Sequence, residues 1–174
     1  MSFRDATAED ADAIAHLHAE SWRSAYRGTF SDDFLDHQVH QERAAAWNAR
    51  FSGAESRGFF VLLAESAGQI EGFACVFPAD HAIFGSYVDN LHVQPKLTGR
   101  GLGRRLLSEV ARRLMAEGFP DGMYLWVVEQ NQRALRFYER AGAKVVGSEI
   151  HTMPDGQNVR ALRCHWPDIR LLLL

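Results

Sequence analysis

A chain of 174 residues, 47% of them hydrophobic, is long enough for one domain with a substantial core. The formal net charge of −3 gives no sign of a nucleic-acid surface, and no apolar run approaches the ~20 residues of a membrane span. Two cysteines, Cys75 and Cys164, are too few for a disulfide framework, and Met1–Asp5 lacks a signal-peptide pattern, so a soluble cytoplasmic protein is expected.

In chain order, Ser2 to Ala6 reads as a short first strand. Thr7-Ala8-Glu9-Asp10 starts a helix, with Thr7 as cap and acid in the first turn. Ala11, Ile14, Leu17 or His18, Trp22 and Ala25 share one side of that helix, which ends near Gly28. Ser31-Asp32-Asp33 opens a second helical region that continues through Ala44, Trp47 and Phe51 toward Gly53. Gly58 to Glu65 reads as a buried strand, turned back at Ser66-Ala67-Gly68-Gln69 into Ile70 to Phe77 as an antiparallel hairpin. Pro78 to Phe84 reads as a loop.

The next stretch organises the rest. Tyr87 to Val93 alternates Tyr, Asp, Leu and Val against Val, Asn and His, as a strand requires, and Pro95 ends the ladder by removing a donor. Gly99, Gly101 and Gly103 follow, and then Leu102, Leu106, Val110 and Leu114 recur every fourth residue opposite a face of arginines and Glu109, which makes a core-facing helix stopped by Gly118. Glycines at a strand-to-helix turn suggest an anion site, because the first helical N–H groups have no internal partner and the dipole is positive there. Arg100, Arg104 and Arg105 add formal charge. A P-loop is excluded because Arg104-Arg105 stands where Lys-Ser/Thr would be needed. A dinucleotide fingerprint is excluded because positions 104 and 106 are Arg and Leu instead of Gly.

Met123 to Glu129 is another apolar strand, and Asn131 to Gly142 a short helix capped by Asn131 and stopped by Gly142. Lys144 to His151 and Asn158 to Trp166 read as a closing hairpin around Pro154-Asp155-Gly156. The order predicts a mixed α/β (α+β type) single domain over residues 1–174, with a sheet of about seven strands flanked by about four helices.

The central stretch resembles the acyl-CoA-binding motif of the GNAT superfamily of N-acetyltransferases. Leu91-His92-Val93-Gln94-Pro95 matches the family's Leu-x-Val-x-Pro, and Arg100-Gly101-Leu102-Gly103 the end of its Arg/Gln-x-x-Gly-x-Gly/Ala turn, with Thr98 where the family usually has Arg or Gln. Asn131, Ala134, Phe137, Tyr138 and Gly142 fall in register with a second family motif, whose final aromatic is replaced by Ala143. The resemblance implies the GNAT-like fold and acetyl-CoA as cosubstrate. It implies that amides of Thr98, Gly99, Arg100, Gly101, Leu102, Gly103 and Arg104 hold the pyrophosphate, and that Leu91, His92 and Val93 run beside the pantetheine arm. It makes Tyr138 the group that protonates the departing thiolate, while Asn131 either bridges the cofactor arm or only caps its helix.

A base for the attacking amine is not carried over, because Tyr87 stands where some members have a glutamate. Asp89, His92 and Glu129 are the candidates, with water-relayed deprotonation also open; the alternation puts Asp89 and His92 on opposite faces of their strand. Ser21 to Gly28 resembles a Ser-Trp-Arg-x-x-Tyr-x-Gly segment of bacterial family members. Trp22 and Tyr26, four apart, share a helix face that either lines an amine pocket or packs the core. No histidine pair, His37 and His40 included, forms a convincing metal site. The expected acceptor is a small-molecule primary amine; a protein Nα-amine or lysine, and a non-catalytic acyl-CoA-binding module, are the alternatives. The apolar tail Ile169 to Leu174 is expected to pack on its own sheet or on a twofold mate, which leaves a homodimer possible.

Overall fold

The computed structural model describes residues 1–54 and 58–174. Among them, seven strands form one sheet in the order β1-β2-β3-β4-β5-β7-β6. The strands are β1 (Ser2–Asp5), β2 (Phe60–Ser66), β3 (Gln69–His81), β4 (Gly85–Val93), β5 (Met123–Val128), β6 (Lys144–Thr152) and β7 (Asn158–Trp166). Four α-helices cover it: α1 (Ala11–Ala25), α2 (Val39–Ala49), α3 (Leu102–Ala116) and α4 (Gln132–Arg140). No helix among the described residues is long and apolar enough to cross a membrane.

Both faces of the sheet are buried. Ile14, Leu17 and Trp47 of the first two helices pack on Leu63, Phe73 and Phe77. On the other face the four-residue repeat of α3 does what its period dictates, so Leu102, Leu106, Val110 and Leu114 meet Leu62, Ala74, Val76 and Val88. A third cluster of Trp22, Phe30, Phe34, Leu35 and Val39 ties α1 to the helical stretch leading into α2. The tail joins the α3 side: Ile169 and Leu172 are fully buried, and the Leu174 N–H donates to Ser108 Oγ at 3.0 Å. The tail therefore packs on its own chain, although Leu171, Leu173 and Leu174 remain exposed.

Two expectations change. Pro78 to His81 is strand and not loop, because β3 runs on through Pro78 as far as His81. Pro78 is tolerated where the register slips between Phe77 and His81, so no ladder bond is asked of its missing N–H. The second change concerns β4. Cys75 pairs with Asn90 and Val76 with Val88, so Asp89 is an extra residue bulged out of the ladder. The bulge resets the alternation. Asp89 and His92 both face the α1–α2 side, Asp89 against Arg50 and His92 against His18 and Phe73.

All neighbouring strands pair antiparallel except β4 and β5, which run parallel and pair only at Ser86–Met123 and Tyr87–Tyr124. Gly85 makes that brief contact feasible. Its φ is +78°, and a Cβ built there would lie 2.2 Å from the Gly122 carbonyl oxygen. Gly85→Ala is expected to cost at least ~2 kcal/mol, since both the left-handed backbone and the clash with main chain must be relieved. Denaturant unfolding with an unchanged midpoint would contradict this.

Candidate active site

Beyond Tyr87 the two parallel strands separate, and a cleft of about 750 Å³ opens between them. Its walls are Val88 to Val93 of β4 and Leu125 to Val128 of β5. The glycine turn closes one end. The first two helices and the residues just after them line the other with His18, Ser21, Trp22, Tyr26, Arg43, Trp47 and Arg50.

At the glycine end, Gly101 has φ +83° and is the residue before α3, with no side chain to cap the helix. The Arg105 N–H already reaches the Gly101 carbonyl at 3.1 Å, so Leu102, Gly103 and Arg104 carry the uncapped amides. These are the donors a pyrophosphate needs. The Thr98 N–H instead bonds the Pro95 carbonyl at 3.3 Å, and the Arg100 N–H the Leu97 carbonyl at 3.4 Å. Thr98, Gly99, Gly101, Leu102 and Gly103 line the cleft; the Arg104 side chain turns away, and its Nη2 donates to the Leu171 carbonyl at 3.1 Å. Arg100 is exposed and does not line the cleft.

Along the walls, Tyr138 is buried and lines the cleft, and its hydroxyl has no hydrogen-bond partner among the described residues. Burial, reinforced by the neighbouring Tyr26 and Cys164, holds its phenol protonated well above the ordinary tyrosine range. Asn131 accepts from the Ala134 N–H at 3.1 Å and so caps α4, while its side chain also faces the Tyr26 phenol. Trp22 and Tyr26 meet edge to face at 5.9 Å, and both line the cleft, Trp22 from a buried position.

The three candidate bases separate clearly. Glu129 turns to Arg160 at 3.4 Å and does not line the cleft. Asp89 lines it, yet its Oδ2 takes Arg50 Nη1 at 2.7 Å and Asn90 Nδ2 at 2.6 Å, and the Tyr87 phenol also bonds it. His92 lines the cleft with Nδ1 2.8 Å from Ser21 Oγ. Burial, then the nearby Arg43 charge, push its pKa down to about 3, so it is a neutral imidazole at any working pH.

His18, which the sequence suggested only as a core position, stands beside it. Its ring centroid is 4.3 Å from that of His92, and its Nδ1 accepts from Trp47 Nε1 at 3.1 Å. An indole nitrogen only donates, so the neutral ring carries its proton on Nε2, which is buried and has no partner among the described residues. Burial holds His18 far below the usual imidazole pKa. A histidine four residues before a tryptophan gave no signal that it would meet the central strand.

The family model described as the acetyltransferase (GNAT) family matches residues 12–143. The chain belongs to the GNAT family. It is an acetyl-CoA-dependent N-acetyltransferase, and the uncapped amides of α3 and the split beside them fit that cosubstrate. This GNAT chain is 28% identical to the N-acetyltransferase YuaI of Bacillus subtilis over 99% of its length and 96% of the relative's. It is 30% identical to the L-amino acid N-acyltransferase MnaT of Escherichia coli over 82% and 78%. Among solved structures, the PaiA N-acetyltransferase of Thermoplasma acidophilum in complex with coenzyme A superposes with a TM-score of 0.69 at 18% identity, covering 95% of this chain and 100% of that one.

Two buried neutral histidines make stability depend on pH. Between the ordinary value of 6.5 and about 3, the unfolded chain binds protons that folded His92 refuses, and His18 adds to the difference in the same direction. Stability must therefore fall as pH drops below about 6.5. His18→Phe will be less stable near neutrality, having lost the Trp47 bond, but it should lose less on going from about pH 7 to about pH 4.5. Equal losses in parent and variant, measured by thermal unfolding, would contradict this.

Proposed function

We propose that the acceptor is a primary amine on a small molecule, acetylated by direct transfer. The observation that carries the reading is the split between β4 and β5, which joins a phosphate-sized donor cluster at one end to a roofed pocket at the other. The roof is made by the β6–β7 connection: Asp155 Oδ2 accepts from the Ser31 N–H at 2.9 Å, and Met153 packs on the cluster around Trp22. A pocket bordered on that side by the β6–β7 connection suits a small amine better than a lysine or terminus still attached to a protein. The relatives' names are consistent with amine acetylation, and one of them, the L-amino acid N-acyltransferase MnaT, takes its name from an amino-acid acceptor.

In this reading the neutral amine attacks the thioester carbonyl, a C–N bond forms, and a main-chain N–H near Leu91 to Val93, freed where the strands part, stabilises the oxyanion. The nitrogen, now cationic and far more acidic than the free amine, gives its proton to His92 Nε2 with Ser21 holding the other ring nitrogen. A ring with so low a pKa passes that proton on to water instead of keeping it. The C–S bond then breaks, and Tyr138 donates its phenolic proton to the thiolate. The Tyr138 hydroxyl has no partner among the described residues, and burial keeps it protonated, so a proton is on hand for the acid role.

A thiol-release assay over a panel of amines tests the reading. Tyr138→Phe should lower kcat by about 10–10²-fold, the lower part of the range for a general acid because a thiolate leaves readily. Affinity for coenzyme A should hardly change. With the phenol protonated far up the scale, the parent rate should show no alkaline fall within the pH range the fold tolerates. A parental kcat in the variant, with chemistry rate-limiting, would contradict the assignment.

A further inference from the structure

The charges lining the cleft are one-sided. Of the five charged side chains on its walls among the described residues, four are arginines, namely Arg43, Arg50, Arg133 and Arg140, and the other is Asp89. Arg133 and Arg140 belong to the helix that packs beside the glycine turn, where Phe137 touches Gly103. At the opposite end, Arg50 is satisfied by Asp89. Arg43 is not satisfied in the same way. Its side chain is only 14% exposed, and its Cζ lies over the Trp22 ring, 4.3 Å from the centroid, so the guanidinium packs on an indole face. Nε and Nη2 bind Glu42, a residue that does not line the cleft. Nη1 has no partner among the described residues.

Two further facts place this cation at the reacting end. Arg43 lies over Trp22, whose ring meets His18 edge to face at 4.9 Å, and His18 lies 4.3 Å from His92, so the cation stands beside the wall those rings form. His18 also contributes an N–H with no acceptor, its tautomer fixed by Trp47. Arg43 Nη1 and the buried His18 Nε2–H are both donors, and among the described residues neither has an acceptor.

We propose that the acceptor amine carries a carboxylate and that Arg43 receives it. The inference rests on the small-molecule reading above and narrows it to amines of the amino-acid class. Stacking on Trp22 removes much of the rotamer freedom an arginine would otherwise lose on binding, and the planar fork suits a carboxylate. The amine end of such a molecule is then directed at His92 and the β4–β5 split. A polyamine would bring a second ammonium against Arg43, and an amine with no anion would leave Arg43 Nη1 and the His18 N–H without an acceptor.

The test uses matched pairs of amines that differ by one carboxylate: L-phenylalanine against phenethylamine, and L-methionine against 3-(methylthio)propylamine. The intact protein should favour the carboxylate member by at least ~30-fold in kcat/KM, the effect expected when one side of a partly buried charge pair is missing. In Arg43→Gln the preference should shrink to within about threefold, mainly through KM, and Arg43→Lys should fall between. Equal use of both members by the parent overturns the inference while leaving amine acetylation intact. A strong preference that survives in Arg43→Gln removes Arg43 from the role. Should Arg43→Gln fail to fold, the parent ratio and Arg43→Lys still decide. Turnover of none of these amines overturns the transfer reading, and this inference with it.

Discussion

Everything functional here depends on two strands that pair and then part. β4 and β5 share only two register positions, Ser86–Met123 and Tyr87–Tyr124, with the two tyrosine rings stacked at 5.0 Å where pairing ends. A sheet cannot tolerate unpaired main chain in its middle unless something else satisfies it. The parting therefore creates both a cavity and a set of donors and acceptors facing it. Acetyl-CoA, whose pantetheine arm carries amides of its own, suits such a surface. Gly85 lets the strands meet closely once, and their different onward partners, β3 and β7, carry them apart.

The bulge at Asp89 decides what the cleft can do chemically. Without it, strict alternation would send Asp89 and His92 to opposite faces and leave one of them under α3. The extra residue brings both to the α1–α2 side, where Arg50 takes up the carboxylate and His18 stacks on the imidazole. The consequence is a division of labour along one short strand. A carboxylate already engaged by three partners anchors Arg50, while an imidazole kept neutral by burial faces the cleft. Tyr138 enters from α4 across the split, so the His92 imidazole and the Tyr138 phenol face the cleft from opposite walls.

Much of this was readable in the residues because it is local. The period of α3, the glycines before it, Asn131 as a cap and the apolar run of β5 each follow from a few neighbouring positions. What was not readable depends on partners distant in sequence. The bulge arises from the register of β4 against β3, which no alternation within β4 reveals. The strand character of Pro78 to His81 depends on the same pairing. His18 is one more position on an amphipathic helix until Trp47, 29 residues away, donates to it and His92 stacks beside it. Arg43 reads as a solvated helix cation until the tertiary fold lays it over Trp22.

The central claim is that the split and the uncapped end of α3 together form one acetyl-CoA site. Hydrogen exchange measured with and without acetyl-CoA tests it most directly. The account predicts slowed exchange in two separate segments, at Leu91 to Val93 and at Leu102 to Arg104, with no change along the exposed edge strand β6. Saturable binding of acetyl-CoA with exchange unchanged in both segments would contradict it.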